Sequence, residues 1–356
     1  MNHRSVLVTG GAGFVGSNLA IKYKQRYPES RVSVLDNLKR RGSELNLPRL
    51  WRSGVEFIHG DIRSQEDFPE FEIDVILECS AEPSVQAGYH GTPHYLINTN
   101  LVGTLNCLEL ARKQRADFVF LSTSRVYPIH LLNSLRYTEA ETRFILADEQ
   151  PYPGSSALGV TEDFPLQGSR SLYGATKLAS ELFVEEYRAA FGLRTVINRC
   201  GVITGPWQMG KVDQGVFALW MARHYFGGEL SYFGYGGTGK QVRDFLHITD
   251  LFELADTQIR NLDRFDGRTF NVGGGLAKSL SLLETTHLCE QITGKRILIH
   301  QRPETRVADV PLYISDHRNI AELCGWRPTR GSKQTLSDIY YWIRENENLV
   351  RATLTS

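Results

Sequence analysis

Apolar positions follow two different periods along the first 125 residues. Short runs rich in Val, Ile, Leu and Phe predict β-strands, and these runs lie at residues 4–9, 31–36, 55–58, 74–78, 118–123 and, further on, 194–199. Between these runs, residues 95–114 and 174–191 repeat their apolar positions with the period of a helix. The alternation of strands and helices predicts an α/β fold, a Rossmann-type doubly wound parallel sheet with helices on both faces.

The pattern changes after about residue 205, where glycine and aromatic residues cluster at 226–228 and 232–237. We therefore expect two domains. Residues 1–204 form a dinucleotide-binding domain. Residues 205–356 form mainly a smaller, mixed α/β lobe for substrate, with some strands or helices returning to the first domain. Residues 128–172 show no clear period, which predicts a long functional or mobile loop.

Composition narrows the class of protein. The 356 residues include 40 basic and 40 acidic side chains, so there is no positive excess to follow the phosphates of a nucleic acid. No apolar run reaches the roughly 20 residues that span a bilayer. The five cysteines are scattered and mostly lie in apolar runs, which is typical of reduced thiols. We expect a cytoplasmic protein that binds neither nucleic acid nor membrane.

The strongest local signal follows the first predicted strand. Gly10, Gly13 and Gly16 lie between that strand and an amphipathic helix. In a dinucleotide-binding turn, the first glycine permits the tight turn and the second lets the backbone approach a pyrophosphate. The third lets the helix pack closely on the strand. The helix N-terminus then attracts the phosphate charge.

Asp36 ends the second predicted strand, twenty residues after Gly16. A carboxylate at this place accepts hydrogen bonds from ribose hydroxyls and repels a 2′-phosphate. The sequence thus favours NAD over NADP, although Arg40 and Arg41 lie close enough to leave NADP open. Asp61 follows the third strand, either at the adenine edge of the cofactor or as a helix cap.

Tyr173 and Lys177 are four residues apart at the start of a predicted helix, and so lie on one face, one turn apart. A nearby ammonium stabilises a phenolate and brings a pKa of about 10 towards physiological pH. Tyr173 is therefore a candidate acid and base. Ser122 and Thr123 end the fifth strand, at the sheet edge where ligands bind in such folds.

Taken together, these residues resemble the extended short-chain dehydrogenase/reductase family of nucleotide-sugar enzymes. The resemblance covers almost the whole chain. It implies that Tyr173 is the base for a sugar hydroxyl, that Lys177 tunes Tyr173 and holds the nicotinamide ribose, and that Thr123 hydrogen-bonds the reacting oxygen. It also implies that Arg243 grips a nucleotide diphosphate with Arg306 as its partner, a task that suits a guanidinium.

The resemblance extends to further site residues, which fall into two groups. The implied cofactor-binding residues are Gly10, Gly13, Phe14, Val15, Gly16, Asp36, Asn37, Asp61, Ile62, Ser80, Ala81, Asn100, Ser122, Tyr173 and Lys177. The implied substrate-binding residues are Thr123, Ser124, Arg125, Arg143, Gln208, Gln214, Gln241, Arg243 and Arg306.

Segments 141–143, 213–215, 239–247, 270–274 and 279–284 are similar to the epimerase branch that inverts C2 of a CDP-linked deoxyhexose. That likeness implies NAD as the cofactor and a 2-keto sugar as the intermediate.

The chain also departs from the family pattern. Residues 78–82 read Glu-Cys-Ser-Ala-Glu where the family usually has His-Leu-Ala-Gly/Ala-Gln, so that a carboxylate enters the cofactor edge.

Two alternatives stay open. One is another nucleotide-sugar reaction on the same scaffold, by a 4-epimerase, a 4,6-dehydratase or a decarboxylase. The dehydratase is disfavoured because its branch has Asp-Glu directly after the catalytic threonine, where this chain has Ser124 and Arg125. The other is a non-catalytic NAD-binding regulator, which would not need the Thr–Tyr–Lys set.

The sequence disfavours a metal site and favours self-association. His90 and His94 have the spacing of zinc ligands on a helix, but Pro93 disfavours a helix and no third ligand is suitably spaced. We expect no metal. The helices predicted at 95–114 and 174–191 carry enough apolar surface to form a four-helix contact in a homodimer or a higher homo-oligomer, which the family commonly shows. Burial of these surfaces within the monomer is the other explanation.

Overall fold

A computed structural model of the chain describes residues 5–89, 91–210 and 214–355. Its strands are β1 (Ser5–Thr9), β2 (Arg31–Asp36), β3 (Glu56–His59), β4 (Val75–Glu78), β5 (Asp117–Thr123), β6 (Tyr137–Glu139), β7 (Phe144–Leu146), β8 (Ser155–Ser156), β9 (Gly159–Val160), β10 (Thr195–Cys200), β11 (Val202–Thr204), β12 (Leu230–Phe233), β13 (Val242–His247), β14 (Arg268–Val272), β15 (Ser279–Ser281), β16 (Ile299–Arg302) and β17 (Leu312–Tyr313).

The α-helices are α1 (Phe14–Arg26), α2 (Leu47–Arg52), α3 (His94–Ile97), α4 (Gly103–Gln114), α5 (Ile129–Asn133), α6 (Leu172–Phe191), α7 (Val216–Phe226), α8 (Ile248–Arg260), α9 (Leu262–Phe265), α10 (Leu282–Thr293), α11 (Arg318–Cys324), α12 (Ser332–Glu345) and α13 (Glu347–Leu354). In the described ranges, no helix is long and apolar enough to cross a membrane.

Seven strands form the main sheet, in the order β14-β10-β5-β4-β1-β2-β3. The pairings of β1 with β2 and β4, of β2 with β3 and of β4 with β5 are all parallel. The strands are apolar because helices cover both faces, and Val6, Leu7 and Val8 are at most 1% exposed. This sheet confirms the predicted Rossmann-type fold. The order reverses between β1 and β4, which is the point where such sheets bind ligands.

The chain divides into two compact units of nearly equal length. The first contains the residues up to Val126, Leu172–Arg199 and Leu251–Phe270; the second contains Tyr127–Ser171, Cys200–Asp250 and the residues from Asn271 onward. The division differs from the predicted domains 1–204 and 205–356, and the second unit is not the smaller one. Residues 251–270 belong to the first unit. They contain most of α8, all of α9 and the start of β14, which is an edge strand of the main sheet.

Residues 128–172, predicted as a long loop, contain α5 and two short hairpins, β6–β7 and β8–β9. Their strands are only two or three residues long, too short to show a period of alternation. The segment is held by its backbone: the Phe144 amide donates to the Lys240 carbonyl oxygen at 3.0 Å, and the Val160 amide donates to the Ile314 carbonyl oxygen at 2.9 Å.

The single helix predicted at 95–114 is three segments in the structure. The α3 helix and the α4 helix are joined by a π-helical turn at Asn98–Val102. In that turn the Asn100 carbonyl oxygen accepts hydrogen bonds from the hydroxyls of Thr104, at 2.8 Å, and Ser180, at 2.9 Å. Such π-helical turns often accompany functional sites, and this one attaches the helix to α6.

The second unit is built on a four-stranded sheet in which β13 is the central strand. It pairs in parallel with β11 and β17 and antiparallel with β15. The α7 helix is mostly buried, and its Trp220 donates from Nε1 to the Thr286 hydroxyl of α10 at 3.0 Å. The β13 strand thus has partners on both edges, and Arg243, which is predicted to bind substrate, lies near its start.

Candidate cofactor and substrate sites

The turn between β1 and α1 leaves no room for side chains. Gly10 has φ +62°, and a Cβ there would lie 2.9 Å from the Cys79 carbonyl oxygen; a Cβ on Gly16 would lie 2.4 Å from the Gly10 carbonyl oxygen. Gly13 precedes the first helical residues, Phe14 and Val15, and no described side chain caps this end. The free N–H groups of this helix end can bind an anion. These features fit a dinucleotide pyrophosphate.

Asp36 lies beside this turn because it is the last residue of β2. Its carboxylate accepts hydrogen bonds from the backbone N–H groups of Ala12, at 3.1 Å, and Leu38, at 2.8 Å. Burial raises the pKa of Asp36, and the backbone hydrogen bonds oppose that rise. An acceptor fixed beside the glycine turn fits the adenosine ribose of a dinucleotide.

Asp61 is tied to the same edge through Asn37, whose side-chain amide donates to it at 2.8 Å. Burial alone would raise the pKa of Asp61, but hydrogen bonds from Arg63 and Asn37 lower it to about 2. Ile62 is buried, and a Cβ on Gly103 would lie 2.4 Å from its Cδ1. Asp61 is therefore a fixed negative charge, whereas the Ile62 side chain packs on α4.

Tyr173 and Lys177 lie on α6, as predicted, and are 9% and 1% exposed. The Lys177 ammonium lies 3.9 Å from the centre of the Phe120 ring and 3.7 Å from Oε2 of Glu78. Tyr173 and Lys177 are one helical turn apart on one face of α6. An ammonium close to a tyrosine hydroxyl stabilises a phenolate, so these two residues are candidates for acid–base chemistry.

The carboxyl end of β5 is joined to α6 by a hydrogen bond to Glu181, which also forms a buried charge pair with Arg199 of β10. Ser122 donates its hydroxyl to Glu181, and the carboxylate of Glu181 lies 2.7 Å from a guanidinium nitrogen of Arg199. The next hydroxyl, on Thr123, accepts the backbone N–H of Arg125 at 3.2 Å. Ser122 thus serves a protein contact, while Thr123 presents its hydroxyl at the end of the strand.

Asn100 is fully buried and makes its contacts inside the first unit. Its oxygen accepts the backbone N–H of Glu82 at 2.7 Å, and its amide nitrogen donates to the Glu82 carbonyl oxygen and the Thr176 hydroxyl at 3.1 and 3.2 Å. The side chain therefore connects the segment after β4, which contains Ser80 and Ala81, to α6. The position of Asn100 in the sequence did not predict its hydrogen bonds to Glu82 and Thr176.

Three predicted substrate residues surround the start of β13. Arg243 donates to the Asp309 carboxylate and the Val310 carbonyl oxygen, both at 2.7 Å. Gln241 donates to the Phe233 carbonyl oxygen at 2.9 Å. The Arg306 guanidinium carbon lies 3.7 Å from the centre of the Phe233 ring. Gln241 and Arg306 thus share contacts with Phe233, and the Asp309 amide, which donates to the Arg306 carbonyl oxygen at 3.2 Å, connects the Arg306 segment to the partner of Arg243.

The remaining substrate residues lie in three places. Arg143 is next to β7 and binds the Ser279 carbonyl oxygen at 2.7 Å and the Glu284 carboxylate at 3.0 Å. Gln208 accepts the Thr204 hydroxyl at 2.8 Å and lies beside the segment that contains Gln214. Ser124 and Arg125 form a short 3-10 turn directly after β5. Asp213, of the predicted motif at 213–215, is outside the described residues.

No group of three or more metal-ligating side chains occurs within the described ranges. His94 begins α3, and His90 is outside these ranges.

The sequence did not predict the buried Glu181–Arg199 charge pair. Arg199 is the one charged residue of β10, but α6 carries several charged residues, so the sequence does not identify the partner of Arg199.

Comparisons with known proteins agree with this geometry. The profile of the NAD dependent epimerase/dehydratase family matches residues 6–273. CDP-paratose 2-epimerase of Salmonella typhi is 32% identical over 348 residues, which are 95% of this chain and 98% of the relative. The dTDP-glucose 4,6-dehydratase of Salmonella typhimurium is 26% identical and covers 97% of this chain and 94% of its own.

Solved structures give the same fold. UDP-glucuronic acid 4-epimerase from Bacillus cereus, in complex with UDP-glucuronic acid and NAD, has a TM-score of 0.78 at 24% identity and matches 96% of this chain and 99% of its own. UDP-glucose 4-epimerase from Thermus thermophilus, in complex with NAD, has a TM-score of 0.74 at 26% identity, with the same coverage. The predicted resemblance, enzyme class and NAD cofactor are confirmed: the chain belongs to the NAD-dependent epimerase/dehydratase family.

Proposed function

We propose that this protein is a nucleotide-sugar epimerase that inverts C2 of a CDP-linked deoxyhexose. The observation that carries the chemistry is the buried Tyr173–Lys177 pair on α6, with Thr123 at the end of β5. The choice of C2 and of CDP is supported by the similarity, over 95% of the chain, to CDP-paratose 2-epimerase.

The first unit would hold NAD at the carboxyl edge of its sheet. Gly10, Gly13 and Gly16 leave space for the pyrophosphate, and Asp36 would accept the ribose hydroxyls. The remaining proposed contacts are Phe14, Val15, Asn37, Asp61, Ile62, Ser80, Ala81, Asn100, Ser122, Tyr173 and Lys177. When bound, NAD supplies a reversible hydride acceptor.

Chemistry at C2 needs such an oxidant, because a hydrogen on a carbon that bears a hydroxyl is not acidic and cannot simply be removed by a base. Tyr173, in the phenolate form that Lys177 stabilises, takes the proton of the C2 hydroxyl, and Thr123 hydrogen-bonds the reacting oxygen. The C2 hydrogen leaves as a hydride, for which bound NAD would be the acceptor, and C2 becomes the planar carbon of a 2-keto sugar. Inversion then requires that this ketone receive hydrogen on its opposite face and that Tyr173 return the proton.

The second unit would bind the nucleotide diphosphate. A guanidinium donates two parallel hydrogen bonds to a phosphate. Arg243 binds the Asp309 carboxylate, and Arg306, three residues before Asp309, lies over the Phe233 ring. Binding would require Arg243 to exchange the Asp309 carboxylate for the diphosphate. We also assign Arg143, Gln208, Gln214 and Gln241 to this nucleotide sugar, and we propose Ser124 and Arg125 as further substrate-binding residues.

A dehydratase reaction is less well supported, although dTDP-glucose 4,6-dehydratases are among the relatives. Elimination of water needs an acid and a base beside the sugar in addition to the tyrosine. The two residues after Thr123 are Ser124 and Arg125, neither of which readily exchanges protons near neutral pH. The epimerase reaction needs only the Tyr173 proton relay.

We also propose a cytoplasmic homodimer. The five cysteines are free thiols, as expected in a reducing compartment. Large apolar side chains are exposed on α6, where Leu182 is 56%, Phe183 41% and Phe191 55% exposed. Ile97 and Val102, on the helix packed against α6, are 37% and 38% exposed. Pairing of these helices with their copies would cover this apolar face.

The proposed substrate is tested by incubating the protein with CDP-, dTDP-, UDP- and GDP-linked hexoses and deoxyhexoses and recording proton NMR spectra. We expect a CDP-deoxyhexose to give a second sugar that differs only in the configuration at C2. An epimer at C4, or turnover confined to another nucleotide, would contradict the proposal.

The role of Asp36 predicts which nucleotide the protein carries. Nucleotide released by denaturation and analysed by chromatography should be NAD and not NADP, because the carboxylate opposes a 2′-phosphate. Asp36→Asn removes that charge and keeps the size, so the preference of stripped protein for NAD should fall by roughly tenfold or more. Recovery of mainly NADP from the wild-type protein would refute this assignment.

The role of Tyr173 predicts the effect of Tyr173→Phe, which removes the proton acceptor and keeps the ring. Turnover should fall by the ~10²–10⁴-fold typical of a lost general acid and base, while the released NAD per chain stays at the wild-type level. Turnover close to that of the wild type would place the base elsewhere.

The proposed dimer predicts that a charge on α6 separates the subunits. Leu182→Arg should give a monomer in light scattering with size-exclusion chromatography, because a charge is costly at a buried interface. Leu298→Arg is the matched control, since Leu298 is 57% exposed but lies outside α6. Dissociation by both changes, or by neither, would argue against this surface.

A further inference from the structure

Glu78 places a carboxylate at the centre of the cofactor edge. It is the last residue of β4, opposite Thr9 of β1 and Phe120 of β5 in the sheet register. Its side chain is fully buried. Oε1 accepts the backbone N–H of Ser80 at 3.1 Å. Oε2 has no hydrogen bond within the described ranges and lies 3.7 Å from the Lys177 ammonium.

Two titratable side chains lie beside Glu78 in the part of the chain that the structure describes. Lys177 faces it from α6, and Cys107 faces it from α4. Burial, and next the charge of Glu78, raise the pKa of the Cys107 thiol well above its usual value, so this thiol stays neutral. Burial raises the pKa of Glu78, and the charge of Lys177 opposes that rise. Glu78 and Lys177 therefore form the charge pair of this pocket.

A buried ammonium needs such a partner. Taking an ammonium out of water is unfavourable unless an opposite charge compensates it, and an uncompensated lysine tends to lose its proton. Lys177 is 1% exposed, and the face of Phe120 compensates only part of its charge. Lys177 must nevertheless be charged to stabilise a phenolate on Tyr173.

We propose that Glu78 is a positioning residue whose carboxylate keeps the Lys177 ammonium charged and in place, one helical turn from Tyr173. In this way it sets the pH range in which Tyr173 can accept a proton. This inference rests on the proposed roles of Tyr173 and Lys177, but not on C2 or on CDP.

The test compares Glu78→Gln, which removes the charge and keeps the shape, with Glu78→Asp, which keeps the charge. The pH dependence of kcat/KM is measured on NAD-loaded protein with whichever nucleotide sugar the wild type converts. In Glu78→Gln we expect the acid limb to move to higher pH by about one unit or more. We also expect kcat to fall by roughly tenfold or more, while KM changes little.

In Glu78→Asp the rate should fall but the acid limb should stay where it is in the wild type, since the counter-charge is present. Glu29→Gln is the matched control, because the same change on an exposed side chain should leave the profile unaltered. A wild-type acid limb in Glu78→Gln would overturn the proposal. An equal shift of the acid limb in Glu78→Gln and Glu78→Asp would also overturn the proposal, since that result would indicate that Glu78 matters for packing and not for its charge.

If Glu78→Gln does not fold, the Asp variant decides alone: an unmoved acid limb supports the inference and a moved limb contradicts it. The test also separates this inference from the proposed function. Conversion of a sugar other than a CDP-deoxyhexose contradicts the substrate assignment and leaves the comparison of Glu78 variants intact. Wild-type turnover in Tyr173→Phe instead removes the base on which Glu78 would act.

Discussion

Two buried charges on α6 constrain the first unit. Lys177 and Glu181 are each about 1% exposed, and each has an opposite charge on a neighbouring strand, Glu78 on β4 and Arg199 on β10. Leaving one member of such a pair uncompensated typically costs about 3–5 kcal/mol. The register of α6 along the sheet is therefore fixed by these pairs, and Tyr173 is fixed with it.

Further buried hydrogen bonds hold α6 in the same position relative to the strand ends at the cofactor edge. Asn100 connects α6 to the segment after β4, and Ser122 connects the end of β5 to Glu181. These side chains hold the elements that carry Tyr173 and Thr123, whose hydroxyls act on substrate in the proposed reaction. Rigid support of this kind is what acid–base chemistry requires, since small displacements of a reacting group reduce the rate strongly.

The sequence predicted the parts of the molecule that depend on local pattern. The strands up to β5, the glycine turn and the placement of Tyr173 and Lys177 on one helix follow from period and spacing, because neighbours along the chain determine them. The π-helical turn at Asn98–Val102 and the hairpins within 128–172 did not follow, since side chains distant in sequence stabilise them. The sequence also did not predict the partners of Arg243 and Glu181, because these partners, Asp309 and Arg199, are distant along the chain.

The central claim is that C2 is inverted by transient oxidation, so its hydrogen must leave and return within one active site. The most direct measurement uses a CDP-deoxyhexose deuterated at C2, with the product analysed by NMR and mass spectrometry. We predict that the epimer keeps its deuterium at C2, and that unlabelled substrate in heavy water gains none there. Exchange of the C2 hydrogen with solvent would contradict the account, as would movement of a label at C4 with none at C2.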